Sequence, residues 1–200
     1  MKHRFIHCVG IGGIGLSALA RFYRSRGWRV SGSDLARSEI TDALRKNGIR
    51  VAIGPHRAAN VPAAASVVYS AAVRPDNPEL REARRRAIPT HSYAEAVGEL
   101  AEEYKTIAIA GAHGKSTTTA LVGLVLVRGG LDPTVIVGTK LREFKNTNFR
   151  AGKSSYLVLE ADEYRASFLN YSPAIAVITN IDREHLDFYK NLRNIEQAFF

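Results

Sequence analysis

Short apolar runs alternate with amphipathic stretches along this chain, at spacings that predict strands followed by helices. Residues 4–9, RFIHCV, predict a first strand, and an apolar-periodic segment then predicts a helix to about Gly27. Trp28–Ser31 predicts a second strand, residues 38–47 a helix, and Ile49–Ile53 a third strand. A loop, GPHRAAN, precedes a strand at Ser66–Tyr69. Asn77 is placed to cap a helix over 78–87, with a short strand at Ile88–Thr90 and a helix over 92–103 beyond it. The pattern then restarts. Ile107–Ala110 is a new apolar run, and ALVGLVLV has the length of a helix. Thr134–Val137, Ser155–Leu159 and Ala174–Thr179 predict further strands, whereas the polar stretch 139–153 predicts a loop. The closing NIEQAFF predicts an amphipathic helix that has barely begun, so the chain reads as the N-terminal part of a longer protein. Nearly continuous apolar strands alternating with helices predict an α/β protein with parallel sheets, cut into two domains at residues 1–103 and 104–200.

Both halves begin with a strand that runs into glycines. In the first, Gly10, Gly12 and Gly15 stand in the order G-x-G-x-x-G before the helix, and Asp34 follows 19 residues after Gly15, just past the second predicted strand. Strand, glycine turn, helix, strand and acid make a Rossmann-like arrangement in which the glycines let a pyrophosphate approach the backbone. Taken alone, this fingerprint also suits a nicotinamide-dependent oxidoreductase. In the second half, AGAHGKSTTT carries G-x-x-G-K-S from Gly111 to Ser116; the longer G-x-x-x-x-G-K-[ST] spacing fails because Ile109 stands five before Gly114. Even so, strand, glycine loop, Lys-Ser and helix build a phosphate cradle of the P-loop type, in an incomplete ATP-binding domain. Lys115 reaches the outer phosphates there and the Ser116 hydroxyl ligates Mg²⁺.

Ligands of open α/β sheets bind outside the carboxyl ends of the strands, which makes Ser70 and the His56 loop candidate contacts. Two strands of the second half end in polar clusters: Glu160, Ala161, Asp162 and Glu163 after one, Asn180 to His185 after the other. Carboxylate oxygens and an imidazole at that edge can complete a Mg²⁺ site with Ser116.

Composition narrows the class. With 46% apolar and 24% charged residues over 200 positions, the chain has enough for a core in one or two domains. The single cysteine, Cys8, excludes a disulfide framework and suits a reducing cytoplasm. No run of about 18 apolar residues is present, so no membrane partner is expected. The net charge of +9 is uneven: residues 1–100 carry 16 Lys+Arg against 8 Asp+Glu, and residues 101–200 carry 12 against 11. A basic first half attracts anionic ligands, but without an aromatic RNA-binding signature or zinc spacing no nucleic-acid partner is expected.

Six ordered stretches resemble the Mur ligases: IHCVGIGGIGLSALA at 6–20, VSGSD at 30–34, VVYSAAVRPDNPEL at 67–80, AGAHGKSTTTALVG at 110–123, LVLEADEYRASFL at 157–169 and AVITNIDREHLDFY at 176–189. The family usually reads G-T-H-G-K-T at its phosphate loop; here Ala112 and Ser116 replace the two threonines, and serine keeps the hydroxyl. The resemblance implies a first domain that holds a UDP-sugar through Gly12, Gly13, Ile14 and Gly15, with Asp34, His56 and Ser70 nearby. It implies ATP bound by Gly111, Ala112, His113, Gly114, Lys115, Ser116 and Thr117, with Asn180 beside them. It implies Mg²⁺ on Ser116, Glu160 and His185, with Glu163 as the alternative to Glu160, and catalytic roles for Lys115 and His185. The implied reaction is a two-step ligation. The carboxylate of UDP-N-acetylmuramate takes the γ-phosphoryl group, and the amine of L-alanine displaces phosphate from the acyl phosphate. The run RASFLNYSPAIAVITNID resembles the alanine-adding branch more than the branch that attaches a whole tripeptide to the same sugar nucleotide. The rest of the implied machinery lies beyond Phe200, so the chain by itself is expected to have no ligase activity.

Overall fold

The computed structural model describes residues 4–63 and 66–199; Phe200, the last residue of the final predicted helix, lies outside them. The chain divides into two compact units, Met1–Ala96 and Val97–Phe200.

The first unit is a five-stranded parallel sheet with helical connections. Its elements are β1 (Phe5–Val9), α1 (Ile14–Ser25), β2 (Arg29–Asp34), α2 (Glu39–Lys46), β3 (Arg50–Ile53), β4 (Ser66–Tyr69), α3 (Pro78–Arg85) and β5 (Thr90–Ser92); α4 (Tyr93–Glu102) contains the division. The strand order is β3-β2-β1-β4-β5. β1 pairs in parallel with β2 on one side and β4 on the other, so the order reverses beside the central strand. Alternation along β1 sends Ile6 and Cys8 to one face and His7 and Val9 to the other, and all four are buried. Val9 packs with Val61, Val67, Leu80 and Ala83, which brings α3 against the sheet. Burial pushes the Cys8 thiol up to about 12, so it stays protonated and acts as a small apolar core group.

Local signals account for the helix starts. Ser38 caps α2 by accepting from Thr41 N, while the Thr41 hydroxyl accepts from Ser38 N in return. Asn77 Oδ1 accepts from Glu79 N, and Pro78 occupies the first turn of α3, as its fixed φ favours. Two strands are shifted from the sequence expectation. β2 runs on to include Asp34, because its pairing with β3 continues to Asp34 opposite Ile53. The short strand is Thr90–Ser92 rather than Ile88–Thr90, since Val67 opposite Thr90 opens the ladder with β4.

The second unit contains β6 (Lys105–Ala110), α5 (Lys115–Arg128), β7 (Thr134–Leu141), β8 (Thr147–Arg150), β9 (Tyr156–Glu160), β10 (Ile175–Ile178), α6 (Leu186–Tyr189) and α7 (Leu192–Phe199). The strand order is β10-β6-β9-β7-β8, parallel except for β8, which runs antiparallel to β7. Ile109, Val135, Phe144 and Val158 form the core between α5 and the sheet. The expected loop at 139–153 is corrected here: β7 continues to Leu141, a short 3₁₀ turn spans Arg142–Phe144, and β8 returns as an edge strand. Its composition is polar because the turn is largely exposed and β8 buries the polar Asn148; Phe144 and Phe149 carry its attachment to the core.

Candidate functional site

In the second unit, the carboxyl ends of β6, β9 and β10 converge, since all three run parallel. The chain leaves β6 at Gly111, whose φ of +126° favours glycine; a Cβ there would lie 2.3 Å from Thr179 Oγ1 and 2.7 Å from Asn180 O. Asn180 then clasps the loop. Its carbonyl accepts from Ala112 N at 3.0 Å, its Oδ1 from His113 N at 2.9 Å, and its Nδ2 donates to His113 O at 2.8 Å. The Thr179 hydroxyl donates to His113 O at 2.7 Å. α5 begins at Lys115 with Gly114 at its N-cap and no side-chain cap among the described residues. The N–H groups of its first turn therefore face outward with the positive end of a 14-residue helix behind them.

Lys115 folds back over this loop. Nζ donates to Gly111 O at 2.6 Å, to Ala112 O at 2.9 Å and to Glu163 Oε1 at 3.1 Å. Glu163 is buried, and its Oε2 lies 3.0 Å from the same ammonium yet receives no well-directed hydrogen bond. His185 Nε2 is 3.5 Å from Glu163 Oε1, and the Tyr189 hydroxyl donates to Glu163 O at 2.6 Å, which ties α6 to the end of β9. Ser116 Oγ donates to Glu160 Oε1 at 2.8 Å, and Gly138 N donates to Glu160 Oε2 at 2.5 Å. Thus the structure joins Ser116 to Glu160, and Lys115 and His185 to Glu163. Asp162, Glu163 and His185 can each bring one ligand atom within 4.8 Å of the others. Asp162, Glu163 and His185, with one buried Glu163 oxygen lacking a well-directed hydrogen bond, form a donor set that fits a divalent cation. His113 lies on the exposed side, 3.3 Å from Glu184 Oε1, and Thr117 is exposed in the first turn of α5.

The first unit has its own site at the crevice where the strand order reverses. A cavity of about 610 Å³ is lined by Gly10, Gly13, Asp34, His56, Ser70 and Asn77 among others. Gly12 N donates to Asp34 Oδ2 at 2.7 Å, so the acid at the end of β2 braces the glycine turn. Of the residues singled out from the sequence, Gly13, Asp34, His56 and Ser70 face this cavity, and Gly12 joins it through Asp34. Ile14 is partly exposed at the start of α1, and Gly15 lies against the Tyr93 ring; neither lines the cavity.

Sequence reading missed the polar network behind His56. Glu79 is fully buried and accepts from His7, Ser33, His56 and Asn60 at 2.8 to 2.9 Å. Burial pushes the Glu79 carboxyl up, but the bonds from His7, Asn60, His56 and Ser33 outweigh it and bring the carboxyl down to about 2. Nothing in NPEL distinguishes a buried network carboxylate from a helix-start residue. Gly138 and Thr179 were missed for the same reason: each acts through a contact with a distant strand end.

The matches to known proteins agree with this geometry. The profile described as Mur ligase family, catalytic domain, matches residues 5–105, and that of the Mur ligase middle domain matches residues 109–200. The UDP-N-acetylmuramate–L-alanine ligase of Aquifex aeolicus is 47% identical over 193 residues, 96% of this chain and 42% of that protein. Its counterpart from Sorangium cellulosum is 52% identical over 196 residues, 98% of this chain and 41% of that protein. Among solved structures, the UDP-N-acetylmuramate-alanine ligase of Thermotoga maritima gives a TM-score of 0.89 at 38% identity, covering 97% of this chain and 45% of that one. The UDP-N-acetylmuramate:L-alanyl-gamma-D-glutamyl-meso-diaminopimelate ligase of Neisseria meningitides gives 0.89 at 26% identity, covering 98% of this chain and 66% of that one. The chain spans less than half the length of the curated relatives it matches. With both profiles matched in order over nearly its whole length, the chain belongs to the Mur ligase family.

Proposed function

We propose that this chain forms the sugar-nucleotide-binding and ATP-binding parts of a cytoplasmic enzyme that joins L-alanine to UDP-N-acetylmuramate in peptidoglycan synthesis. The observation that carries the reading is the loop at 111–116, with Lys115 held against Glu163 and Ser116 against Glu160 at the end of β9. The higher identity to the alanine ligase of known structure, 38% against 26% for the tripeptide-adding one, favours the alanine branch.

ATP supplies the phosphoryl group that activates the sugar carboxylate as an acyl phosphate, and Mg²⁺ offsets the charge gathered there. The chain's own residues position and neutralise. N–H groups from Gly114 to Thr117 cradle phosphate oxygens at the start of α5. Lys115, exchanging its bonds to Gly111 O and Ala112 O for phosphate oxygens, lowers the repulsion between two anionic reactants. Ser116, Glu160 and His185 would hold Mg²⁺, and Asp162 and Glu163 are further donors beside His185. Asn180 keeps the loop in shape through its paired bonds with His113. In the first unit, the Gly12–Gly15 turn brings the start of α1 against the diphosphate, while Asp34, His56 and Ser70 hold the remainder of the UDP-sugar.

Calorimetric titration tests the first-unit assignment, with UDP-N-acetylmuramate in one cell and NADH in another. Heat from the sugar nucleotide and none from NADH is expected; the reverse would replace the ligase reading by the oxidoreductase one. For the amine, phosphate release by a complete protein carrying this chain is expected with L-alanine and not with the tripeptide, and to be absent from the 200-residue chain alone.

A further inference from the structure

Glu79 is a carboxylate in the first turn of α3 with no exposure at all. Its Oε2 accepts from His7 Nε2 at 2.8 Å and Ser33 Oγ at 2.8 Å; its Oε1 accepts from His56 Nδ1 at 2.9 Å and Asn60 Nδ2 at 2.9 Å. An ionised carboxylate has about four acceptor sites and no proton to give, so all of its capacity is taken.

An acceptor-only neighbour dictates where protons sit on the rings around it. His56 Nδ1 faces Glu79 and must carry a hydrogen. Ser33 Oγ, 3.1 Å from the same nitrogen, spends its own hydrogen on Glu79 and offers the ring only an acceptor. The neutral ring is therefore held as the Nδ1–H form, with a bare lone pair on Nε2. The Nδ1 edge points inward to the carboxylate, and the residue lines the cavity of about 610 Å³. His7 fixes the carboxylate from behind: its Nε2 donates to Glu79, and its Nδ1 accepts from Ser31 Oγ at 2.8 Å.

We propose that Glu79 is a positioning residue that locks His56 in the Nδ1–H form, so that His56 Nε2 accepts a hydrogen bond from an N–H or O–H donor of the ligand in this cavity. This rests on the reading of the cavity as a uridine-nucleotide site. UDP offers three such donors: the imide N–H of the base and the two ribose hydroxyls. A histidine free to change tautomer would serve a carbonyl oxygen equally well. A locked one rejects a ligand that presents an acceptor or a blocked donor at that point, because the lone pair is then left unpaired.

The test has two arms. Long-range ¹H–¹⁵N NMR of the ligand-free chain reads the tautomer directly: His56 is expected to show a bare Nε2 and a protonated Nδ1, and the opposite pattern overturns the proposal. Calorimetry then compares UDP with N3-methyl-UDP, 2′-deoxy-UDP and 3′-deoxy-UDP on the wild-type chain and on His56→Ala. One analogue is expected to lose about 3- to 12-fold in affinity on the wild type and to match UDP on the variant, and it identifies the donor. UDP binding with no analogue penalised, or a penalty that persists in His56→Ala, overturns the proposal. The Nδ1–H pattern with no binding of UDP overturns the donor assignment by removing the uridine-nucleotide reading itself, a result distinct from both. Glu79→Gln is expected to give mixed tautomer signals and to erase the penalty; if it does not fold, the wild-type and His56→Ala measurements decide alone.

Discussion

The two glycine turns of this chain share a build and differ in what stands beside them. The first, between β1 and α1, contains no lysine, and its neighbouring acid, Asp34, is used to brace Gly12 N. The second, between β6 and α5, is followed at once by Lys115, the first residue of α5, paired with a buried acid, Glu163. Each sets a helix N-terminus beside the place assigned to an anion. The lysine separates the roles we assign: a turn without one holds a diphosphate that stays intact, and a turn with one meets a phosphoryl group that moves. Buried charge follows the same division. Glu79 in the first unit is satisfied by four side-chain donors that include neither Lys nor Arg, whereas Glu163 in the second faces an ammonium and keeps one oxygen without a hydrogen bond.

The largest expected effect tests that lysine. In a complete protein carrying this chain, Lys115→Ala should reduce steady-state phosphate release by about 10³-fold while UDP-N-acetylmuramate still binds. Turnover close to wild type would remove Lys115 from the chemistry and leave the two turns equivalent.

The next tests the self-sufficiency of the first unit's buried carboxylate. Glu79→Gln should cost about 3 kcal/mol in chemical denaturation, because a hydrogen-bonded buried charge is replaced by a group that cannot accept from all four donors. The pH dependence has a definite sign. The Glu79 carboxyl lies at about 2, below its ordinary value of 4.5. Its stabilisation is therefore fully present above about pH 4.5 and is lost as pH falls towards about 2. The stability gap between wild type and Glu79→Gln should be constant from pH 7 to 5 and shrink below that. A gap that stays constant down to pH 3 would show that the carboxylate's charge is not what the network recognises.

A smaller effect is expected at Asp34. Asp34→Ala leaves Gly12 N–H without its partner and should weaken UDP binding by about 30-fold, with Mg-ATP binding unchanged. An equal loss for both nucleotides would mean that the acid supports the whole chain rather than one turn.

Much of this was legible in the sequence because it is local. Alternating apolar runs located nine of the ten strands among the described residues to within a few positions, and the caps at Ser38 and Asn77 act within their own first turns. What escaped was non-local or at an edge. β8 has too few apolar positions to announce itself, since Phe149 is its one apolar residue and its other buried residue, Asn148, is polar. Glu79 sits 72 residues from His7 and 46 from Ser33, so no sequence window contains the network. Chemistry-bearing residues could be located at strand ends, but not which acid each would meet: Ser116 meets Glu160, and Lys115 and His185 meet Glu163.

Gly138 offers the finest division of those two acids. Its N–H donates to Glu160 Oε2, and a Cβ on it would lie 2.5 Å from Oε1 and 2.9 Å from the carboxyl carbon. The carboxylate is the far end of a flexible side chain, so Gly138→Ala would be accommodated by swinging Glu160 aside rather than by unfolding the strand. That movement breaks the bond from Ser116 and leaves the Lys115–Glu163–His185 group in place. If Glu160 holds Mg²⁺, the concentration of the ion needed for half-maximal turnover should rise about tenfold, with UDP-sugar affinity in the first unit unmoved. An unchanged requirement would take Glu160 out of the metal's reach and assign the ion to Glu163, Asp162 and His185. Lys115 and the metal would then share one carboxylate, and the second turn would differ from the first by a compact cation cluster rather than by two separate carboxylate anchors.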